Sequence, residues 1–298
     1  MISLIVPTYN RAYALIQVLD TFYRQEGIGE IIFIDDCSCD DTKKVIQQFS
    51  NKYPHIHTSY LYNDKKRGAS YSRMRGVENA KMDYILFCDD DEFLGKNYAK
   101  VCLEKLLSGA GEIISGRHLY RNLGESPEEA IVRFGNGLYF GNVFGKIRFK
   151  VYTDVIFDKD LVLPFTHGIF LTSKKLLNRF KIDPFYAKGN GYREESDFQM
   201  NAYLHGIKIL MINDVHCVHM NMKEVRSGGQ RVGRLSRFFW NIYYTTYFLR
   251  KFYKEIRRSL DLHYPFSIAI LLYVIAEFYD FFMRPIFYLV KKLFKVFK

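Results

Sequence analysis

The chain has 298 residues, 48% of them hydrophobic and 25% charged, with a formal net charge of +11. Length and apolar content exclude a disordered or low-complexity polymer and suffice for one large domain or two modest ones. The charge is unevenly placed: residues 223–298 carry 15 lysines and arginines against five acids and hold 20 of the 50 aromatic residues, whereas residues 1–222 are close to neutral. Such asymmetry points to an anionic surface as partner. No recognition motif accompanies the basic aromatic stretch, so nucleic acid is not the expected partner.

Five scattered cysteines, Cys37, Cys39, Cys88, Cys102 and Cys217, form no paired framework and predict free thiols in a reducing compartment. Cys37-x-Cys39 lacks the wider ligand spacing of a zinc site. The N-terminus has no basic region ahead of an apolar one, so no signal peptide is expected.

In chain order, Ser3 to Val6 predicts a short strand ending in the loop Pro7-Thr8-Tyr9-Asn10. Ala12 to Tyr23 has helical spacing. Glu30 to Ile34 is a second apolar run, ending in Asp35-Asp36. Thr42 to Phe49 is helical, with Asp40 or Asp41 as cap. Ile56 to Tyr62 predicts a third strand and Ser70 to Ala80 a helix. Strand–helix alternation at this period predicts a parallel, doubly wound α/β sheet.

The next run, Tyr84 to Phe87, leads through Cys88 into four carboxylates, Asp89, Asp90, Asp91 and Glu92. Like charges at the end of a buried strand destabilise it unless a cation sits there. Oxygen-only ligands suit a hard divalent ion, Mg²⁺ or Mn²⁺, with phosphate completing its shell. A plainer reading is an acidic turn capping the next helix. Placed at one edge of one sheet, Thr8/Tyr9, Asp35/Asp36 and Asp89/Asp91 would form a single site.

The middle is less regular. Glu112 to Ser115 is a candidate strand, and Gly135 to Asn142 reads as loop or hairpin. A glycine-rich loop, Lys188-Gly189-Asn190-Gly191, runs into Glu194, Glu195 and Asp197, with a helix following to about Gly206. Ile207 to Ile212 predicts a further strand, followed by His216 and His219.

These motifs, SLIVPTYNR, IIFIDDCSCDDT, RGASYSRMRGVENAKMDYILFCDDDEFL, GNGYREESDFQMNAYLHGIKI and VHCVHM, resemble in order and spacing the family 2 glycosyltransferases of the GT-A fold. The resemblance covers about residues 1 to 220. It implies a nucleotide-sugar donor lying across the strand ends, with Pro7, Thr8 and Tyr9, flanked by Asn10, lining the nucleoside pocket. Asp35 or Asp36 would accept from the base, Asp36 being favoured. Arg67 and Arg73 would contact the diphosphate. In the D-x-D pair, Asp89 would face the ribose, Asp90 lie between, and Asp91 hold the metal with His219 nearby. Glu195 falls at the catalytic carboxylate, with Glu194 and Asp197 beside it as alternatives. Met74 departs from the family's usual Asn.

Plainer readings stand beside these. Glu194, Glu195 and Asp197 suit a helix N-terminus, which favours acids. Arg73 and Arg75 suit a solvated helix face, Tyr9 the core, and His216 and His219 either core or surface.

Transfer from a nucleoside diphosphate sugar needs a stabilised leaving group, which metal and arginine supply, and one carboxylate base for the acceptor hydroxyl. A hydrolase would need a facing carboxylate pair. One base with in-line attack predicts inversion. No Ser-His-Asp arrangement or G-x-x-x-x-G-K-[ST] loop is present.

In the C-terminal quarter, Arg231, Arg234 and Arg237 lead into Phe238-Phe239-Trp240. The apolar run Pro265 to Ala276 is about twelve residues, short of the roughly 20 that span a bilayer, and Glu277 and Asp280 interrupt it. Lys291, Lys295 and Lys298 lie opposite an apolar side in the pattern of an interfacial helix.

The expectation is therefore a doubly wound mixed sheet of the GT-A type over residues 1–222, with nucleotide-sugar (1–110) and acceptor (111–222) halves. A basic aromatic helical region (223–298) follows. The function expected is inverting, Mn²⁺- or Mg²⁺-dependent transfer from a UDP-sugar to a glycan or lipid-linked acceptor in surface polysaccharide or glycoprotein synthesis. The expected location is the cytoplasmic membrane face, peripheral or integral through the C-terminal segment. The alternatives are a sugar nucleotidyltransferase and a degenerate membrane-bound scaffold.

Overall fold

The computed structural model describes residues 1–135, 143–155, 157, 159–225 and 233–286. Five elements alternate at the start: β1 (Ile2–Thr8), α1 (Ala12–Tyr23), β2 (Ile28–Asp35), α2 (Thr42–Lys52) and β3 (His57–Tyr62). Then come α3 (Ala69–Asn79), β4 (Tyr84–Phe87), β5 (Glu92–Leu94), α4 (Tyr98–Leu107), β6 (Ile113–Tyr120) and α5 (Pro127–Gly135). Three short strands follow, β7 (Phe144–Gly145), β8 (Lys150–Val151) and β9 (Leu161–Val162), then β10 (Leu171–Ser173) and α6 (Lys174–Phe180). A 3₁₀ turn (Pro184–Ala187) precedes α7 (Glu194–Leu204), β11 (Ile209–His219), α8 (Arg234–Ser259) and α9 (Phe266–Phe278).

The main sheet runs β3-β2-β1-β4-β10-β6-β11-β5, with β9 on β11. β3, β2, β1 and β4 are parallel, β10 is antiparallel to both neighbours, and β6 and β11 are parallel again. This is the expected mixed, doubly wound sheet. The apolar runs look continuous because both faces are covered. Ile2, Leu4 and Val6 face one core with α1, α2 and α4, whereas Ile5 faces the other with α3, α6 and α7. Ile31/Phe33 against Ile32/Ile34, and Leu86/Cys88 against Ile85/Phe87, divide in the same way.

Two elements depart from the expectation. The acidic run does not simply cap a helix: Glu92 opens β5, which pairs with β11 so that Glu92 lies opposite His219. β11 itself continues past Ile212 to His219, because a register shift between Met211 and His216 absorbs the polar residues Asn213 and Asp214 and pairing with β6 resumes.

The C-terminal helices belong to the body of the protein. Phe248, Leu249, Phe252, Tyr253 and Ile256 of α8 share a third core with Phe149, Phe165, Met200 and Met211. Part of the aromatic density of this region, Phe248, Phe252 and Tyr253, is thus core. The apolar helix also runs on, through a π-helical turn (Tyr279–Met283), to give 21 residues from Phe266 to Ile286, with mean hydropathy 1.8 over an 18-residue stretch. Contrary to the twelve-residue reading, this is long and apolar enough to cross a membrane by length and composition. The sequence run was cut at Glu277, but Glu277 is buried and accepts a hydrogen bond from Asn241 Nδ2 at 3.1 Å, so the helix does not end there. The expected Gly135 to Asn142 loop from residue 136 on, Arg231, and the Lys291/Lys295/Lys298 stripe lie outside the described residues.

Candidate active site

Because β1, β2 and β4 are adjacent and parallel, their carboxyl ends bring three acidic or polar turns together. Thr8 is paired with Asp35, and Asp36 N–H donates to Thr8 O at 2.8 Å. Pro7 and Tyr9 are half-buried, and the Lys66 ammonium lies 4.0 Å over the Tyr9 ring. Asn10 adopts φ 52°; its N–H donates to Ser38 Oγ, and its side-chain oxygen accepts from Cys39 N–H.

The Asp35 and Asp36 carboxylates are filled by the chain's own donors. Asp35 accepts from Ser38 N–H at 2.7 Å and Tyr60 O–H at 2.6 Å. Asp36 accepts from Asn63 Nδ2 and from the backbone N–H groups of Arg67 and Gly68 at 2.7–2.8 Å. These bonds fold the loop from Asn63 to Gly68 over the end of β2. Gly68, at φ +88°, is required here: a Cβ would come within 2.2 Å of Ala187 O. The Arg67 side chain points away from the acidic cluster, over Tyr71 and near Asp64.

Arg73, on α3, organises the centre. Its guanidinium donates to Asp89 Oδ1 and to Glu194 Oε1, both at 2.6 Å. Arg73 is therefore a paired, buried residue and not part of a solvated face. Burial works against its charge, but Glu194 and Asp89 hold it protonated above its ordinary range. Glu195 lies beside this pair. Its carboxyl is raised above its usual value, chiefly by burial, with Glu194 and Asp89 adding repulsion and Arg73 opposing. The third acid of the motif goes elsewhere. Asp197 accepts from Tyr186 O–H at 2.9 Å and Lys251 Nζ at 2.6 Å, so both oxygens bind α8 and the loop before α7.

The N-terminus of α7 is held in place by Arg193, at φ 78°. Its buried guanidinium donates to the carbonyls of Arg148 and Phe149 and to Thr245 Oγ1. Gly189, at φ +61°, lets the preceding loop pass under Trp240: a Cβ would lie 2.3 Å from the ring.

A second cluster borders the first. Arg11 bridges Asp90 at 3.5 Å and Asp91 at 3.2 Å, with all three side chains nearly buried. Asp90 is raised by burial, against the pull of Arg11. Asp91, Glu92 and His219 each present a ligand atom, all within 4.8 Å of one another. Glu92 Oε1 accepts from, or faces, His118 Nε2 at 2.8 Å, while Glu92 Oε2 and His219 Nδ1 are buried without a hydrogen-bond partner. Burial drives the His118 imidazole down to about 4, so it is neutral. Orphaned oxygen and nitrogen atoms beside Asp91 are what a divalent ion would satisfy, so the donor set fits Mn²⁺ or Mg²⁺.

The structure thus brings together Asp89, Arg73, Glu194 and Glu195, and beside them Asp90, Asp91 and His219. It leaves Arg67 and Asp197 outside that centre. Sequence reasoning passed over three residues. Arg11 closes the quoted SLIVPTYNR motif and Glu92 is the fourth carboxylate of its run, so both were in view without a role. His118 carries no local signal at all.

The model described as "Glycosyl transferase family 2" matches residues 3–179. A Campylobacter jejuni GalNAc(5)-diNAcBac-PP-undecaprenol beta-1,3-glucosyltransferase is 30% identical over 113 residues, 38% of this chain and 36% of that one. The Staphylococcus aureus poly(ribitol-phosphate) beta-N-acetylglucosaminyltransferase TarS is 29% identical over 101 residues, 33% of this chain and 17% of that one. The matched stretches span less than half the length of these relatives. Among solved structures, S. aureus TarS 1-349 in complex with UDP-GlcNAc superposes with TM-score 0.58 at 16% identity, covering 94% of this chain and 73% of that one. Mannosyltransferase PcManGT from Pyrobaculum calidifontis in complex with GDP-Man and Mn²⁺ gives TM-score 0.56 at 17% identity, covering 92% and 68%. At such identities the likeness is one of fold.

Proposed function

The chain belongs to glycosyl transferase family 2 and has the GT-A fold, and from that premise we propose that it transfers a sugar, with inversion, from a UDP-sugar to a hydroxyl of a glycan or lipid-linked acceptor. The observation that carries this reading is the Arg73 guanidinium between Asp89 and Glu194, which sets the raised Glu195 carboxyl beside the acidic strand ends.

Each residue has a task. Asp36 and the loop it folds frame the base pocket with Tyr9, while Asp89 faces the ribose. A divalent ion, Mn²⁺ or Mg²⁺, held by Asp91, Glu92 and His219 would neutralise the charge that develops on the departing diphosphate. Arg11 holds Asp90 and Asp91 against their mutual repulsion. Glu195 accepts the acceptor's proton as its oxygen attacks the anomeric carbon; a raised carboxyl is better matched to that work than an ordinary one. Arg73 and Glu194 keep Glu195 in position. A nucleotidyltransferase would have no use for that base.

The names of the two relatives, one PP-undecaprenol-linked and one poly(ribitol-phosphate)-directed, support a surface-glycan acceptor. Attachment at the cytoplasmic membrane face is part of this proposal. Glu277 bonded to Asn241, and Asp280 paired with Arg148 at 2.9 Å, favour α9 lying on the bilayer, since crossing it would strip both contacts. The deciding experiment incubates the purified chain with Mn²⁺ and a panel of labelled nucleotide sugars, with thermal shift and donor turnover read together. Absence of both for every donor would refute the activity.

A further inference from the structure

α8 and α9 form an antiparallel pair joined by an elbow at residues 260–265, and a cleft of about 900 Å³ opens at that elbow. Arg250, Lys254, Arg257 and Arg258, at spacings of four, seven and eight, present one face of α8 to the cleft, and His263 joins them from the elbow. Leu249, Leu262 and Phe266 add an apolar lining. Asp261 is the one acid among the lining residues, and it faces His263 at 3.6 Å. Among the described residues, no carboxylate pairs with Arg250, Lys254 or Arg258.

From the mouth of this cleft runs the least covered surface of the molecule's apolar helix. Ile268, Leu271, Ile275 and Phe278 are each 40–55% exposed and recur along one side of α9. The opposite side, Ala269, Tyr273 and Ala276, is packed inward. The cleft opens at the end of α8 that leads away from the reacting groups. Asn190, Arg193 and Asp197 meet Asn241, Thr245 and Lys251 in the same order, so α8 runs alongside α7 away from Glu195. Arg250 adjoins Lys251, and Lys254, Arg257 and Arg258 lie about 5 to 10 Å further along the helix at 1.5 Å per residue.

We infer that the α8–α9 elbow is a binding site for the phosphate headgroup of an anionic bilayer lipid, with the exposed stripe of α9 seated in the adjoining acyl boundary. Unpaired cations at the foot of an exposed apolar stripe match the order of charges and hydrocarbon in a leaflet. The cations line the elbow and adjoin the exposed stripe of α9, and this makes the ligand a membrane lipid and not the acceptor's reacting end. This deepens the membrane part of the proposed function and rests on it, but it needs no donor to be tested.

The test is flotation of the full chain with vesicles of phosphatidylglycerol in phosphatidylcholine, and of phosphatidylcholine alone. Arg250→Gln/Lys254→Gln/Arg258→Gln removes three charges that pair with no carboxylate among the described residues. Partition onto the anionic vesicles should fall by roughly 10²-fold, as about 1 kcal/mol per basic residue converts, with little change on neutral ones. Lys44→Gln/Lys96→Gln/Lys175→Gln makes the same charge change on the catalytic body and should stay within about twofold of the parent. Equal losses for the two triples would mean a diffuse field and overturn the site, as would an elbow triple that floats like the parent. Thermal protection by millimolar inorganic phosphate without recruitment to anionic vesicles would assign the cleft to a free phosphate and equally overturn the lipid. Donor turnover by the elbow triple should match the parent. If the parent turns over no donor, the activity fails on its own and flotation still decides the site.

Discussion

Arg73 and Glu194 meet at 2.6 Å across 121 positions of sequence, and the pair is almost wholly buried. It ties the donor half of the sheet to the helix that carries the proposed base. Removing one partner leaves the other charge buried and unpaired, so Arg73→Met should destabilise the protein by about 3–5 kcal/mol. Arg73→Met/Glu194→Leu should recover much of that stability without recovering turnover. Urea unfolding and donor turnover on the same preparations check this; a double variant no more stable than Arg73→Met would deny the pair its structural role.

The proposed metal dependence rests on Asp91, Glu92 and His219. Asp91→Ala should abolish Mn²⁺-dependent donor binding and turnover, and Glu92→Gln, which replaces a charged ligand with a neutral one, should weaken Mn²⁺ affinity by at least about 10-fold. Calorimetry with Mn²⁺ and the nucleoside diphosphate reads both. Full turnover in EDTA would end the assignment.

Glu195→Gln should keep donor affinity within a few-fold and lower kcat by about 10²- to 10⁴-fold. Equal losses in binding and kcat would make Glu195 a structural residue. A dead Glu194→Gln beside an active Glu195→Gln would move the base by one position.

The acid limb of the kcat profile offers a separate check. As the proposed base, Glu195 would work only when ionised, and its carboxyl is raised above the ordinary 4.5 by burial first and then by Glu194 and Asp89. Activity should thus be lost, as pH falls, at a higher pH than an unperturbed glutamate would dictate. Glu194→Gln removes a repelling charge and leaves Arg73 freer to attract Glu195, so the limb should move to lower pH. A limb that stays put, or moves up, contradicts the arrangement.

Gly189→Ala places a methyl group 2.3 Å from the ring of Trp240, in a backbone region at φ +61° that disfavours side chains. A loss of about 2 kcal/mol or more is expected. Trp240 is the chain's single tryptophan, so its emission reports the displacement directly. An unchanged spectrum and unfolding midpoint would show that the loop yields freely.

The sequence by itself determined the sheet and most of the acidic edge. Apolar runs of five or so residues, each ending in Asp or in Pro-Thr-Tyr, admit few arrangements once strand–helix alternation makes the sheet parallel. The carboxyl ends of β1, β2 and β4 must then converge. Local patterns also marked Glu194 and Glu195 as a pair at a helix start. Only the tertiary structure decided what each charge meets. Asp197 sits two residues from Glu195, yet Lys251 and Tyr186 take its oxygens, because α8 packs there and not over Arg73. Glu92 and His118 become neighbours because β5 and β6 flank β11 on either side, a pairing with no local signature. The aromatic residues of α8 likewise gave one signal for core and membrane alike; burial of Phe248 and exposure of Ile275 and Phe278 are settled by which side of each helix faces the sheet. Periodicity records which residues share a face, and long-range packing alone determines what that face is turned towards.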